Sequence, residues 1–276
     1  MRTAEEFNAY GTYLNERLKL RFSPIAFKML WEGDALPEGT ERPVETGKKR
    51  FAMCQAFAYV RRNRKALAML EDDHWCVWPL ACLKLRELDD ADVQTMGDKL
   101  FIRDREKSID FFKNQYPWLE THGRKPVGFA IAPLESCTFV PDAVITYCRV
   151  SQLMAIVRAV KYETGALWAS RFDSIVSCAY CTVPVLNGQD YAVTLPDPGE
   201  YERALADEDE IIFSARGDAM ETLIRGLHGM DALPYNYDDL HLDMHLEFPR
   251  AQFYDDMFRK WGLQTGEVWK PGEQTI

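Results

Sequence analysis

A chain of 276 residues with 47% apolar and 12% aromatic side chains can bury a sizeable core, which excludes a disordered or low-complexity polymer. Its 33 basic and 43 acidic residues leave a net charge of −10, a field that repels phosphate backbones and anionic lipid, so neither nucleic acid nor a membrane is an expected partner. Because the N-terminus turns acidic at Glu5-Glu6, no apolar run has the length of a membrane span, and seven cysteines make an odd number, the expectation is a cytoplasmic protein with reduced thiols or metal ligands rather than disulfides.

Thr3-Ala4-Glu5-Glu6 has capping-box spacing, and Phe7, Tyr10, Leu14 and Leu18 follow at three and four, predicting an amphipathic helix that ends before Ser23-Pro24. The apolar run from Ile25 to Trp31, bounded by Pro24 and Gly33, reads as a strand, and a polar loop with Pro37, Gly39, Pro43 and Gly47 follows. Phe57, Val60, Ala66, Leu67 and Leu70 predict a helix over 54–70. The basic runs Lys48-Lys49-Arg50 and Arg61-Arg62-Asn63-Arg64-Lys65 read as a solvated face or a contact for a phosphate-sized anion. Asp104 caps a further helix through Ile109, Phe111 and Phe112 that stops near Pro117.

Two apolar runs, 127–132 and 143–148, are of strand length. Ser151 is expected to cap a helix that buries Leu153, Met154, Ile156, Val157 and Val160 and closes at Gly165. Asp173-Ser174 opens a short helix ended by Pro184, residues 191–195 and 210–214 read as strands, and Gly217-Asp218 leads into a helix with Met220, Leu223, Ile224 and Leu227. The expected fold class is α+β, a mixed sheet with packed helices: one domain over 1–230, and an aromatic, acidic C-terminal extension over 231–276 packed on it.

The segment Cys54-Gln55-Ala56-Phe57-Ala58-Tyr59-Val60-Arg61 echoes Ser151-Gln152-Leu153-Met154-Ala155-Ile156-Val157-Arg158, and each is followed by Cys-x-aromatic, at Cys76-Val77-Trp78 and Cys178-Ala179-Tyr180. The echo suggests two repeated strand-helix-cysteine units.

Several cysteines stand where thiolate chemistry is reasonable. Cys54 lies at a helix start, where unpaired amides favour negative charge. Cys178 and Cys181 are three apart, a spacing that sets both sulfurs on one helix face. Cys76 and Cys82 are interleaved with Trp75 and Trp78, with His74 as a conceivable added ligand, whereas Cys137 and Cys148 sit in or beside apolar runs and read as core. His241, Asp243, His245 and Glu247 alternate and could bind zinc or iron, although a solvated strand face is the plainer reading. No phosphate loop and no serine-hydrolase elbow are present.

Ala132-Pro133-Leu134-Glu135, Pro141-Asp142-Ala143-Val144-Ile145 and Ser151-Gln152-Leu153-Met154, together with Cys54-Gln55, Cys76 and Cys178, resemble the signature of domain-of-unknown-function family 169 over roughly residues 10–230. That resemblance implies fold and boundaries, not an activity.

The residues leave three functional classes open. The first is a cysteine-ligated metal or iron–sulfur protein, held by Cys54, Cys76 and Cys178 with Cys181 as fourth ligand, in a redox or Lewis-acid role on a small molecule. The second is a small-molecule binding or sensory protein whose pocket between the two units is lined by Gln55, Gln152, Trp78 and Tyr180. The third is an enzyme with a cysteine nucleophile at Cys54 or Cys178.

Overall fold

The computed structural model describes residues 2–47, 50–231 and 252–262. In chain order its elements are helix α1 (Ala4–Leu18), strand β1 (Ile25–Trp31), α2 (Met53–Asn63), β2 (Leu67–Leu70), α3 (Val77–Cys82), α4 (Asp90–Gly97), α5 (Arg105–Asn114), β3 (Pro126–Pro133), β4 (Ala143–Arg149), α6 (Val150–Thr164), α7 (Ser177–Leu186), β5 (Tyr191–Thr194), α8 (Pro198–Arg203), β6 (Glu210–Arg216), α9 (Met220–Gly229) and α10 (Gln252–Lys260). The expected set over 241–247 lies outside the described residues, as does most of the C-terminal extension. No helix among the described residues is long and apolar enough to cross a membrane.

Local chemistry sets most of these limits. Thr3 and Glu6 form the expected box, the Thr3 hydroxyl accepting from the Glu6 amide at 3.4 Å and the Glu6 carboxylate from the Thr3 amide at 2.8 Å. Asp104 caps α5 by accepting from the Lys107 amide at 3.0 Å. The helix expected over 54–70 is instead two elements, because Arg64 adopts left-handed φ/ψ at the end of α2 and residues 67–70 join the sheet. Ser151 does not cap α6: Arg149 is the cap residue, and the Gln152 side chain accepts its amide at 2.6 Å. Pro184 lies inside α7 rather than ending it, and α7 opens at Ser177, after the expected Asp173-Ser174 start. Asp173 instead accepts the Ser174 and Ile175 amides in the loop before it.

The six strands form one sheet in the order β2-β3-β1-β4-β6-β5, and every ladder is antiparallel. The fold is α+β, but the sheet is not mixed. β1 and β2 run the same way, as do β4 and β5, yet β3 is inserted between the first pair and β6 between the second, so strands of one direction are never neighbours.

Period-two alternation divides the strand residues between two cores. Ile25, Phe27, Met29, Phe129, Ile131, Ile145 and Tyr147 face α2, α3, α5 and α7. On the other face Ala26, Ala130, Ala132, Val144 and Ala215 meet α1, α6 and α9. Phe27 stacks on Phe129 at 5.0 Å and meets Phe57 edge-on at 6.4 Å, and a buried ring of this kind stabilises by roughly 1.5–3 kcal/mol. Across the sheet, α9 passes so close to α6 that a Cβ at Gly226 would lie 2.1 Å from the Ala159 carbonyl oxygen, so only glycine fits there.

The strand order reads the same from either end once elements are matched. β1 and β4 are the seven-residue centre strands, β3 and β6 their partners, and β2 and β5 the four-residue edges. In each half a helix on the same face precedes the edge strand, α2 in one and α7 in the other, and a six-residue helix follows it, α3 or α8. The two helices of the sequence echo, α2 and α6, pack on opposite faces of the sheet. Its shared glutamine has a local cause. Gln55 and Gln152 each occupy the third helical position and accept the amide of the cap residue, Ala52 at 3.0 Å and Arg149 at 2.6 Å.

Candidate functional site

Three helices that bring a cysteine in their first turn or as cap residue surround one buried neighbourhood. Cys54 is the second residue of α2, Cys76 is the cap residue of α3, and Cys178 is the second residue of α7. Gln55 fixes the first of these starts, because its side-chain oxygen also accepts from the Trp75 indole at 2.8 Å. Asp197 fixes the last: one carboxylate oxygen accepts the Ser177 amide of α7 at 2.9 Å and the other the Glu200 amide of its own helix at 3.0 Å. α8 closes the group, with Ala204 packed against Cys54 and Cys76 and the Cys54 thiol donating to the Gly199 carbonyl at 3.8 Å. Val176, just before Ser177, has φ of 54°, a conformation that costs a β-branched residue about 1–3 kcal/mol.

The electrostatics of the thiols are set by burial first and by one another second. Burial pushes the Cys54 thiol pKa up, and Glu200, Asp197 and Cys76 add to the shift. Cys178 is raised in the same way by burial and then by Cys82, Asp197, Cys76 and Cys54. Burial likewise raises Cys82, with Cys76 next, and Cys181, with Glu200 and then Cys82. Cys76, half-buried, is raised by burial and eased down by the Trp78 amide and Arg203, whose guanidinium lies 5.3 Å from the Trp75 ring. Cys54, Cys76 and Cys178 thus lie within electrostatic reach of one another, and Cys82 within reach of Cys76 and Cys178. They are neutral thiols near pH 7, so the helix starts do not lower the Cys54 pKa as expected: lost solvation and two carboxylates outweigh the amides.

Glu200 is fully buried beside them. One of its oxygens accepts from the Tyr147 hydroxyl at 2.9 Å and from the Ser177 hydroxyl at 3.3 Å, while the other has no partner. Burial, then Asp197, pushes its pKa up to about 7, against the pull of Tyr147 and Arg61.

The remaining expected residues are divided. Trp78 packs edge-on to Phe112 at 6.1 Å and against Tyr116, and Tyr180 meets the same Tyr116 ring at 6.3 Å, so both belong to an aromatic wall on the thiol face. Gln152 lies across the sheet, donating to the Leu18 and Lys19 carbonyls at 2.8 and 3.2 Å. Cys181 sits one turn deeper in α7 than Cys178 and donates to the Cys178 carbonyl at 3.4 Å. His74 is buried against Phe129, with both ring nitrogens unpartnered and its pKa lowered by burial to about 4. Cys137 and Cys148 are core residues of the opposite face. Among the described residues, no three His, Cys, Asp or Glu side chains are gathered as a single metal ion requires.

Sequence reasoning missed Asp197, Glu200 and Tyr147. Asp197-Pro198-Gly199-Glu200 carries a legible signal, a capping acid followed by proline at the first helical position. Tyr147 and the inclusion of Cys82 depend on tertiary packing alone.

Neither the curated proteins nor the solved structures contain a match to the chain. The sequence profile described as "uncharacterised ArCR" matches residues 13–226, and the chain belongs to this family, domain-of-unknown-function family 169.

Proposed function

We propose that the protein is a cysteine-ligated redox protein whose iron–sulfur centre is held by Cys54, Cys76 and Cys178. The observation that carries this reading is the meeting of three helix starts, each contributing one sulfur within electrostatic reach of the others. A single tetrahedral ion needs thiolates within about 4 Å of one another, given metal–sulfur bonds of about 2.3 Å. A cluster distributes its ligands over several irons, so it suits a looser set. Such a group, when bound, supplies one-electron transfer or a Lewis-acidic iron. The chain's own residues set its surroundings. Trp75 and Val77 are exposed beside half-buried Cys76 and give the route by which electrons or a small substrate reach the thiols.

The fourth position separates two arrangements. Cys181 supplies a fourth sulfur from within α7, whereas Asp197 holds in the second half the cap position that Cys76 holds in the first. The pairing of the halves favours Asp197, a weaker ligand whose displacement by substrate would open one iron.

Protein isolated without oxygen is expected to be brown and to contain iron and acid-labile sulfide. Cys54→Ala, Cys76→Ala and Cys178→Ala should each abolish the colour, while Cys137→Ala, on the other face of the sheet, should retain it. A colourless, iron-free protein that melts as the wild type does after reconstitution removes the proposal. Retained colour in Cys181→Ala, with an altered spectrum in Asp197→Asn, selects the open-iron arrangement.

A second reading, a small-molecule binding protein, has its own support in a cavity of about 510 Å³ lined by Met29, Trp31 and Asp142 among others. Arg124, another lining residue, lies 4.2 Å over the Trp31 ring.

A further inference from the structure

The cavity of about 510 Å³ beside Trp31 has apolar walls that include Met29, Val140 and Leu186, of which Val140 and Leu186 keep accessible surface. Its volume lies in the range of small-molecule sites, about 300–1,000 Å³. Most of the charges that line it are already neutralised. Arg2 is paired with Glu221 at 2.7 Å, and Arg216 with Asp190 at 2.9 Å and with Asp218. Glu120 and His122 lie 4.0 Å apart with 64% and 78% of their side-chain surface exposed, so water solvates both. Two lining charges of opposite sign remain, Asp142 and Arg124. Among the described residues Asp142 has no cationic ion-pair partner and Arg124 no carboxylate.

Both residues are held in place. Asp142 is tied at three points, its amide donating to the Phe27 carbonyl, its carbonyl accepting from the Gly217 amide and its carboxylate accepting from the Met29 amide, each at 2.8 Å. Arg124 follows a turn in which His122 and Gly123 have φ of 50° and 79°, and its guanidinium rests on the Trp31 ring. Asp142 retains accessible surface, yet the protein around it strips part of its hydration: burial raises its pKa, against the pull of the Met29 amide, Lys28 and Arg124. A ligand ammonium would restore charge-assisted hydrogen bonds to that carboxylate. A ligand carboxylate finds its counterpart in Arg124, whose planar fork donates to two oxygens at once. One fixed charge of each sign beside apolar walls is the complement of a zwitterion that carries a hydrocarbon tail.

We propose that this cavity binds an α-amino acid with an aliphatic side chain, its ammonium on Asp142, its carboxylate on Arg124 and its side chain against Val140 and Leu186. The assignment rests on the small-molecule reading of this cavity and is independent of the thiol centre, since no cysteine lines the cavity.

The test is calorimetric titration of the full chain with L-leucine and with three probes that each lack one of its parts: isopentylamine without the carboxylate, 4-methylpentanoate without the ammonium, and glycine without the tail. Leucine is expected to bind at least tenfold more tightly than any of the three. Arg124→Gln and Asp142→Asn, the latter keeping an acceptor for the Met29 amide, should each weaken leucine at least tenfold. Arg105→Gln, an exposed arginine outside the cavity, should leave it unchanged. A probe that binds as tightly as leucine overturns the assignment of the group it lacks, and leaves the small-molecule reading of the cavity standing. Leucine binding undiminished in either folded variant overturns the placement. Absence of binding by all four overturns the amino-acid assignment, and thermal shifts with other metabolites then decide the small-molecule reading separately. If Asp142→Asn does not fold, Arg124→Gln, whose side chain is exposed, decides.

Discussion

The two halves of the sheet solve the same problem with different residues. Each has a short helix after its edge strand, and in the second half Asp197 caps that helix and also reaches across to cap α7. In the first half the same position is Cys76, whose side chain makes no capping bond. Cysteine is a poor cap where Ser, Thr, Asp or Asn would contribute about 1 kcal/mol. The difference teaches that Cys76 forgoes a local stabilisation that its counterpart exploits, as a residue placed for its sulfur would.

The largest expected effect comes from breaking the tie between the halves. Arg61 at the end of α2 is paired with Glu210 at the start of β6, and both side chains are almost wholly buried. Glu210→Ala strands that cation, so urea unfolding should show a loss of about 3–5 kcal/mol. A loss below 1 kcal/mol would mean that the halves are held by packing alone.

Next in size is a pH effect specific to the second half. Burial raises the pKa of Glu200 to about 7, above the ordinary carboxyl value of 4.5, so the native state holds the proton more tightly than the unfolded chain. Stability from this group is therefore complete below about pH 4.5 and is lost as pH rises through 7, by roughly 3 kcal/mol. Glu200→Gln should flatten the stability profile between pH 5 and about 8, and an unchanged slope would assign the effect elsewhere.

The caps give the two smaller effects, of opposite sign. Asp197→Ala removes a cap from two helices and should cost about 2 kcal/mol. Cys76→Ser supplies the missing acceptor in nearly the same volume and should raise stability by about 0.5–1 kcal/mol while removing a thiol. A thermal melt of each variant in the iron-free state checks the pair, and destabilisation by the serine would contradict the comparison.

Legibility in the sequence followed the range of the interactions involved. The starts of α1 and α5 were readable because Thr3, Glu6 and Asp104 act within three residues of themselves. The strands β3 and β4 were readable from apolar runs closed by prolines. α7 was placed three residues early because its cap, Asp197, stands 20 positions away in the chain. The helix expected over 54–70 hid β2 because Leu67 and Leu70, three apart, fit a helical stripe, whereas in the strand they face opposite cores, and only pairing with Ile131 and Gly128 reveals it. Among the site residues, Cys54 and Cys178 were legible as cysteines near helix starts, whereas Cys76 was legible only as a cysteine between tryptophans, and its place at the start of α3 came from the structure. The relation of α2 to α7 was hidden by a closer sequence echo in α6, which arose from a glutamine serving the same capping bond on the other face of the sheet.

X-ray absorption at the iron edge of the anaerobically isolated protein tests the central claim most directly. The account predicts a first shell dominated by sulfur with a short iron–iron distance behind it, both lost in Cys178→Ala. A first shell of nitrogen and oxygen alone, unchanged by that substitution, would contradict it.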